Sequence, residues 1–430
     1  MPRDAIGTDI KTTPFWWEDA PLPGLAEPPA AETDVAVIGA GYTGLSAALT
    51  LARAGRSVQV LEAETPGMGA STRNGGMLSD LLKPGLGTLT KRYGRDRALA
   101  LMREARAAQG WLEAFIAEEG IACDYARSGG FAGALRPTQY EAMARDLETV
   151  RKALGDDGEM VPKAEVRREV GTDLYVGGRL SHRRGGLNPA RYHAGLLQRA
   201  LAAGVRIAGY CKVTAVRRDG GFRLETPHGP VAARDVFVAT NGYTGPATPL
   251  LRRRVIPVTS SIIATEELQP ALMAALMPKG RMLTDSNRLL CYFRPSPNGR
   301  RVLFGGRPAY HDIGPDEAAR RLRAHMVNVF PELRDVALTH SWSGNIGYTF
   351  DRLPHTGVTD GMHYAMGYCG SGVVMSSWLG RKAALCLLAA PDARSAFADL
   401  EHPTMPFYTG RPWFLPLVQA WYQGFDMIGR

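Results

Sequence analysis

The chain has 430 residues, of which 45% are hydrophobic and 22% charged, and Lys plus Arg exceed Asp plus Glu by 51 − 42 = 9. That length is too great for one compact core and predicts two lobes of ordinary globular size, while the composition gives no ground for long disorder or a fibrous chain. The basic excess is scattered in short clusters such as Arg252–Arg254 and Arg320, Arg321 and Arg323, as on solvated faces, and by itself names no partner.

The five cysteines, Cys123, Cys211, Cys291, Cys369 and Cys386, are odd in number and include no C-x-x-C pair. They suggest neither a disulfide framework nor a zinc site, no metal is expected, and a reducing cytoplasm is the expected compartment. No basic segment followed by an apolar core opens the chain, and the apolar stretch 383–390 is well short of the ~20 residues that cross a bilayer, so no transmembrane segment is expected.

In chain order, residues 1–29 read as a Pro-rich arm whose Phe15-Trp16-Trp17 needs a surface to pack against. Asp34–Gly39 reads as a buried strand, Tyr42–Ala54 as a helix and Ser57–Leu61 as a second strand, which together make a βαβ unit. Helical spacing follows over Asp96–Glu119 and Gln139–Leu154, expected to build a lobe outside that unit. Another helix is predicted over Asn188–Ala203, then strands at Val205–Ile207, Lys212–Arg217, Gly221–Thr226 and Val231–Ala239. Strand-like stretches at Arg254–Thr265, Leu289–Pro295 and Arg301–Gly305, with a helix over Asp316–Val329, are assigned to a substrate lobe. Met362–Met366 closes the pattern as a strand, followed by a tight turn and a helix over Val373–Leu388.

Gly39-Ala40-Gly41-Tyr42-Thr43-Gly44 sits between the first strand and its helix, where backbone N–H groups and the positive helix end meet a pyrophosphate. The first glycine permits the turn, the second admits the phosphate and the third lets helix and strand approach. Glu62 follows Gly44 by 62 − 44 = 18 residues and ends the second strand, as an acid that binds ribose hydroxyls does. The motif alone does not choose between FAD and NAD.

The arm Phe15-Trp16-Trp17, this fingerprint, Gly69-Ala70-Ser71-Thr72-Arg73-Asn74-Gly75-Gly76, Asn188-Pro189, Ala239-Thr240-Asn241-Gly242-Tyr243, Trp342-Ser343-Gly344 with Thr349 to Pro354, and Gly367-Tyr368-Cys369-Gly370-Ser371-Gly372 together resemble the FAD-dependent D-amino-acid oxidase superfamily. Within it the pattern is similar to the amine and amino-acid oxidoreductases that include γ-glutamylputrescine oxidase and, more remotely, sarcosine and glycine oxidases. The resemblance implies an α/β Rossmann-like FAD-binding domain from residues 30–95, 187–250 and 335–395. It also implies an α+β substrate domain with a mixed or antiparallel sheet from 96–186 and 251–334, with packing arms at 1–29 and 396–430.

By the same resemblance the Gly69–Gly76 loop runs along the flavin with Arg73 and Asn74 nearest, and Ala63, Val213, Thr240, Asn241, Gly344, Gly370, Ser371, Gly372 and Val373 also belong to the cofactor site. Asp351, with Pro354 and Gly357, orders the turn beside the flavin. Relatives with a histidyl linkage carry His where Arg73 stands, and the cysteine contexts of linked relatives are not reproduced at Cys291 or Cys369, so the FAD is expected to be non-covalent. Many relatives have His in place of Ser371, which leaves the charge at that end of the flavin unassigned.

On the substrate side Tyr292, Arg294 and Arg307 are candidates over the flavin, an Arg fork suiting a carboxylate, with Trp342 and Tyr348 as walls and His355 and Lys83 as further candidates. The expected activity is oxidation of the C–N bond of a secondary amine, N-substituted amino acid or D-amino acid, for example a γ-glutamyl-amine, by hydride transfer to flavin N5, with O2 or another acceptor downstream. A flavin-binding accessory subunit and a tRNA aminomethyl-modifying enzyme are the alternatives, although no RNA-binding module is evident and no nucleic-acid partner is expected. Oligomeric state is not legible.

Overall fold

The computed structural model describes residues 10–416 and 418, apart from 156, 288–289 and 310–312. Its first sheet grows from Glu32–Ile38, whose residues from Val35 onward are buried on both faces and so demand neighbours on each side. Val58–Leu61 and then Arg206–Ala208 pair in parallel on one side, Gly229–Val238 and then Met362–Met366 on the other, and His355–Thr359 closes that edge antiparallel. Ala215–Arg218 and Phe222–Thr226 extend Gly229–Val238 as an antiparallel ribbon.

Helix Tyr42–Arg53 covers this sheet and packs on helix Gly372–Leu387 at Gly380, where a methyl would come within 2.4 Å of the Thr43 carbonyl oxygen. The predicted helix at residues 96–119 forms over Arg95–Glu118, but it lies against the dinucleotide unit rather than outside it. Leu99, Met102, Ala105 and Leu112 share one core with Val35, Leu45 and Trp378, and the Trp378 indole donates to Glu104 Oε1 at 2.8 Å. Its apolar stripe needed a cover, and the exposed side of the two helices was the surface at hand.

The second sheet has the order Leu338–Tyr348, Ile256–Thr265, Val302–Gly306, Tyr292–Pro295, Met282–Asp285, Gly130–Ala134, Gly177–Ser181, Glu159–Pro162. Only the Met282–Asp285 pairing with Gly130–Ala134 is parallel, so the sheet is mixed, as expected. Leu338–Tyr348, which the sequence grouped with the nucleotide-binding segments, runs here instead, paired with Ile256–Thr265 from Ile256↔Tyr348 to Thr265↔Leu338. The stretch Leu289–Pro295 is a strand from Tyr292, and its residue 289 lies outside the described residues. No helix among the described residues is long and apolar enough to cross a membrane.

The N-terminal arm contains one helical turn, Trp16–Asp19. Trp16 is fully buried, and its Nε1 donates to the Asn74 carbonyl at 2.9 Å. Trp17 Nε1 donates to Thr72 Oγ1 at 2.8 Å, while the Arg73 guanidinium lies 4.9 Å above the Trp17 ring. The arm is thus a clasp on residues 72–74. Trp16→Ala should lower unfolding free energy by about 3–5 kcal/mol and speed proteolysis within residues 69–76. Chemical denaturation and limited proteolysis check this, and unchanged stability would remove the clasp.

Candidate active site

One cavity of about 780 Å³ runs between the two sheets. At one end the turn from Glu32–Ile38 into Tyr42–Arg53 presents Gly39, Gly41, Tyr42 and Thr43 to it. Gly41 at its N-cap offers no side chain; Ser71 Oγ takes the Tyr42 N–H, and the N–H groups of Thr43 and Gly44 remain for whatever the cavity receives. Gly39 has φ +105°, and a methyl on Gly41 would stand 2.8 Å from Ser71 Oγ. Gly44 does not line the cavity: its missing side chain would lie 1.9 Å from the Gly39 carbonyl oxygen, so it sets the helix–strand approach.

Glu62 turns back on this loop and accepts from the Ala40 N–H at 2.7 Å and the Glu64 N–H at 3.2 Å. Burial raises its pKa, and the two backbone donors oppose that. His193, which the sequence reading missed, bonds the Ala40 carbonyl through Nε2 at 2.7 Å. Burial pushes the imidazole down to about 4, so it is neutral and donates at that nitrogen. Only the general rule that a buried polar group needs a partner could have flagged it.

The segment Gly69–Gly76 includes a helical turn, Ala70–Arg73. Gly69, Ala70, Ser71, Arg73, Asn74 and Gly75 line the cavity together with Ala63, Val213, Thr240, Asn241 and Gly344. Ser71 Oγ accepts from the Tyr42 N–H at 3.0 Å, and Asn74 ties the loop by donating to Ser71 O at 2.9 Å and accepting from Gly76 N at 2.8 Å. Arg73 donates from Nε to Met68 O at 2.7 Å and from Nη1 to Ser343 O at 3.2 Å. Its guanidinium is therefore engaged in holding backbone.

At the other end Gly370, Ser371, Gly372 and Val373 bring the start of helix Gly372–Leu387 to the cavity, and Ser371 Oγ donates to Leu81 O at 2.9 Å. Facing them are Lys83, Arg184, Tyr292, Arg307 and Tyr348. Arg307 Nη1 donates to the Tyr348 hydroxyl at 3.1 Å, and the Tyr292 hydroxyl shares a 3.0 Å bond with Ser260 Oγ. A methyl on Gly370 would stand 4.0 Å from both Lys83 Nζ and the Tyr348 hydroxyl. Burial in this cavity, with the Arg307 charge adding to it, lowers Lys83 to about 8, and burial pushes Tyr292 up to about 12.

Besides Gly44, the expected site residues Arg294, Trp342, Asp351, His355 and Gly76 stand apart from the cavity lining. Arg294 donates to the carbonyls of Gly76 (2.9 Å), Leu187 (2.8 Å), Gly75 (3.4 Å) and Pro295 (3.1 Å), so its fork is consumed by backbone. Trp342 is buried, donates to Arg73 O at 2.8 Å and borders a separate cavity of about 240 Å³. Burial pushes the Asp351 carboxyl up, but the hydrogen bond it accepts from His355 Nε2 at 3.0 Å, together with the Leu353 N–H and its other partners, leaves it below the usual range. A methyl on Gly76 would collide with the Leu187 carbonyl at 2.1 Å, so Gly76 is a spacing residue. The described cysteines are all free, and no group of three potential metal ligands occurs among the described residues.

The γ-glutamylputrescine oxidoreductase of Escherichia coli K12 is 34% identical to this chain over 401 residues, which span 92% of this chain and 93% of that protein. A glycine oxidase of Geobacillus kaustophilus is 25% identical over 370 residues, 81% of this chain and 90% of its own. In fold, the crystal structure of glycine oxidase from G. kaustophilus has a TM-score of 0.74 at 21% identity, covering 88% of this chain and 99% of that one. L-Proline dehydrogenase from P. horikoshii has a TM-score of 0.71 at 17% identity, covering 84% and 94%. Residues 34–385 match the family described as FAD dependent oxidoreductase (DAO), and the chain is a member of that family, an FAD-dependent amine or amino-acid oxidoreductase.

Proposed function

We propose that this enzyme oxidises the C–N bond of a secondary amine or an N-substituted or D-amino acid, a γ-glutamyl-amine being one concrete candidate. The observation that carries the reading is a single cavity with a nucleotide-binding turn at one end and Tyr292, Arg307, Tyr348 and Lys83 at the other. FAD, once bound, supplies the hydride acceptor at N5, and the electrons pass on to O2 or another acceptor.

The cavity fits that cofactor. The helix start with Gly39, Gly41, Tyr42 and Thr43 would hold the pyrophosphate, and Glu62 would take the ribose hydroxyls. The Gly69–Gly75 loop, Thr240 with Asn241, and Gly344, which line the cavity between the two ends, would flank the ring system. Asn241 holds its left-handed backbone (φ +40°) by accepting from the Gly367 N–H at 2.9 Å, which joins two sides of the site. Gly370–Val373 present a helix N-terminus that stabilises negative charge on the reduced ring. With no histidine in the Gly69–Gly76 loop and with Cys291 and Cys369 buried, the cofactor is held non-covalently.

The protein's own part is positioning. Tyr292 lies flat on Gly305, where a methyl would meet its ring at 2.3 Å, and walls the reacting region. Arg307, oriented by Tyr348, offers charged donors to an anionic group of the substrate. The bound amine reacts with its nitrogen neutral, and the imine formed is released to water for hydrolysis.

Anaerobic titration of the purified protein with γ-glutamylputrescine, sarcosine, N-methyl amino acids and D-amino acids should bleach the visible flavin band with one of these groups; bleaching by none would overturn the reading. Gly41→Val should cut retained FAD at least 10-fold, read as the flavin-to-protein absorbance ratio, because the added side chain enters the Ser71 contact. Lys83 is charged below about pH 8 and neutral above it. Affinity for a carboxylate ligand, followed by flavin difference spectra, should therefore weaken as pH rises through about 8, and Lys83→Met should flatten that dependence.

A further inference from the structure

Arg184 is a cation of the cavity that the sequence reading passed over. It stands between strands Gly177–Ser181 and Gly185–Gly186 and reaches the cavity because position 130 is glycine: a methyl there would lie 2.3 Å from Arg184 Cδ and 3.0 Å from its Cβ. The Gly129 N–H donates to the Arg184 carbonyl at 2.8 Å and fixes the loop.

The guanidinium itself is poorly satisfied. Nη1 reaches Thr284 Oγ1 only at 3.5 Å, and Nε is buried without a hydrogen-bond partner. No ion pair among the described residues includes Arg184; Asp80, whose charge it feels, is engaged by Arg106 at 3.5 Å. A half-buried cation whose Nε is buried without a partner gains when an anion meets it, and a guanidinium fork matches a carboxylate.

Strand register separates this point from Arg307. Thr284 is paired with Tyr292, and Tyr292 with Gly305, two residues before Arg307. Two strand spacings come to about 10 Å, with the Tyr292 ring between. The helix end at Gly41–Thr43 would hold the cofactor's phosphates and the helix start at Gly372 would serve its ring, so on that placement neither would supply the anion that Arg184 lacks.

We propose that Arg184 and Thr284 form a second anion subsite, which holds a substrate carboxylate remote from the reacting C–N bond and makes the enzyme selective for amines bearing such a distal carboxylate. The proposal rests on the amine-oxidation reading and adds to it the chemistry of the substrate's far end. Gly130, Thr284 and Arg184 are the specificity-determining set.

The test uses the FAD-loaded enzyme and non-oxidisable ω-(methylthio)alkanoates of increasing chain length, each paired with its primary amide, with dissociation constants from flavin difference spectra. At one chain length the acid should bind about 10-fold or more tighter than its amide, the size of a charge-assisted contact. Arg184→Gln should bring that ratio close to one. Arg184→Lys should restore part of it, and Gly130→Ala, which keeps the arginine but displaces it, should reduce it as well. If Arg184→Gln does not fold, the lysine and alanine variants carry the test. An acid preference that survives these changes, or a native enzyme that does not discriminate at any length, overturns the subsite. Failure of every amine to bleach the flavin is a separate result that strikes the oxidation reading, since the affinity ratio is measured without turnover.

Discussion

A buried guanidinium ties the second sheet to the loop that lines the cavity. Arg294 leaves strand Tyr292–Pro295 of the second sheet and gives its donors to the carbonyls of Gly75 and Gly76 in the loop beside the cavity and of Leu187, just ahead of helix Pro189–Ala202. Such a charge is tolerated inside a protein only when its donors are met, and even so burial lowers it to about 10. The space around it is cut to fit: methyl groups at Gly76 and Gly186 would come within 2.9 Å and 2.8 Å of the guanidinium. Trp16 closes the arrangement with its ring 5.8 Å from the cation. Loop, arm and second sheet are held at one point, and the walls of the cavity follow from that.

How far the sequence could be read depends on whether a feature is local. The βαβ unit was legible because its evidence is local: two apolar strands, a small-residue helix and an acid at the right spacing. The role of Arg294 was not, because a sequence names a guanidinium without saying whether carbonyls from residues 75, 76 and 187 will consume it. Arg184 was hidden for the converse reason: it looks like one more surface arginine beside Arg183 until Gly130 is seen to clear its path. His193 and Leu338–Tyr348 likewise owe their places to partners more than 70 residues away in the chain. Gly44 and Gly76 were correctly marked as special, but their work is close packing rather than contact with the cavity.

The two ends of the cavity combine charge from backbone and from side chains. At the nucleotide end the start of helix Tyr42–Arg53 contributes positive potential from backbone, beside the lining cations Arg73 and Lys212, and the carboxylate of Glu62 is kept in place by the Ala40 and Glu64 N–H groups. At the opposite end the side chains of Lys83, Arg184 and Arg307 around tyrosine hydroxyls add titratable or replaceable charge to that of the helix start at Gly372. Backbone charge cannot be titrated or repositioned, which suits an invariant cofactor. Side-chain charge changes with a single residue, which suits a substrate that differs between relatives.

The order of strands in the first sheet bears on how the chain reaches this state. Glu32–Ile38 lies at the centre, but one of its neighbours, Gly229–Val238, arrives some 200 positions later and the strand beyond that, Met362–Met366, later still. Parallel pairings of such separation pay a loop-closure entropy before any contact rewards it and form slowly. During synthesis the nucleotide-binding turn therefore emerges early, yet it stays half-walled until nearly the whole polypeptide has left the ribosome, with apolar strand edges open in the interval. A cofactor that binds only the completed cavity adds its binding energy to the stability of the folded chain, so the last strand to arrive and the flavin act on the same equilibrium.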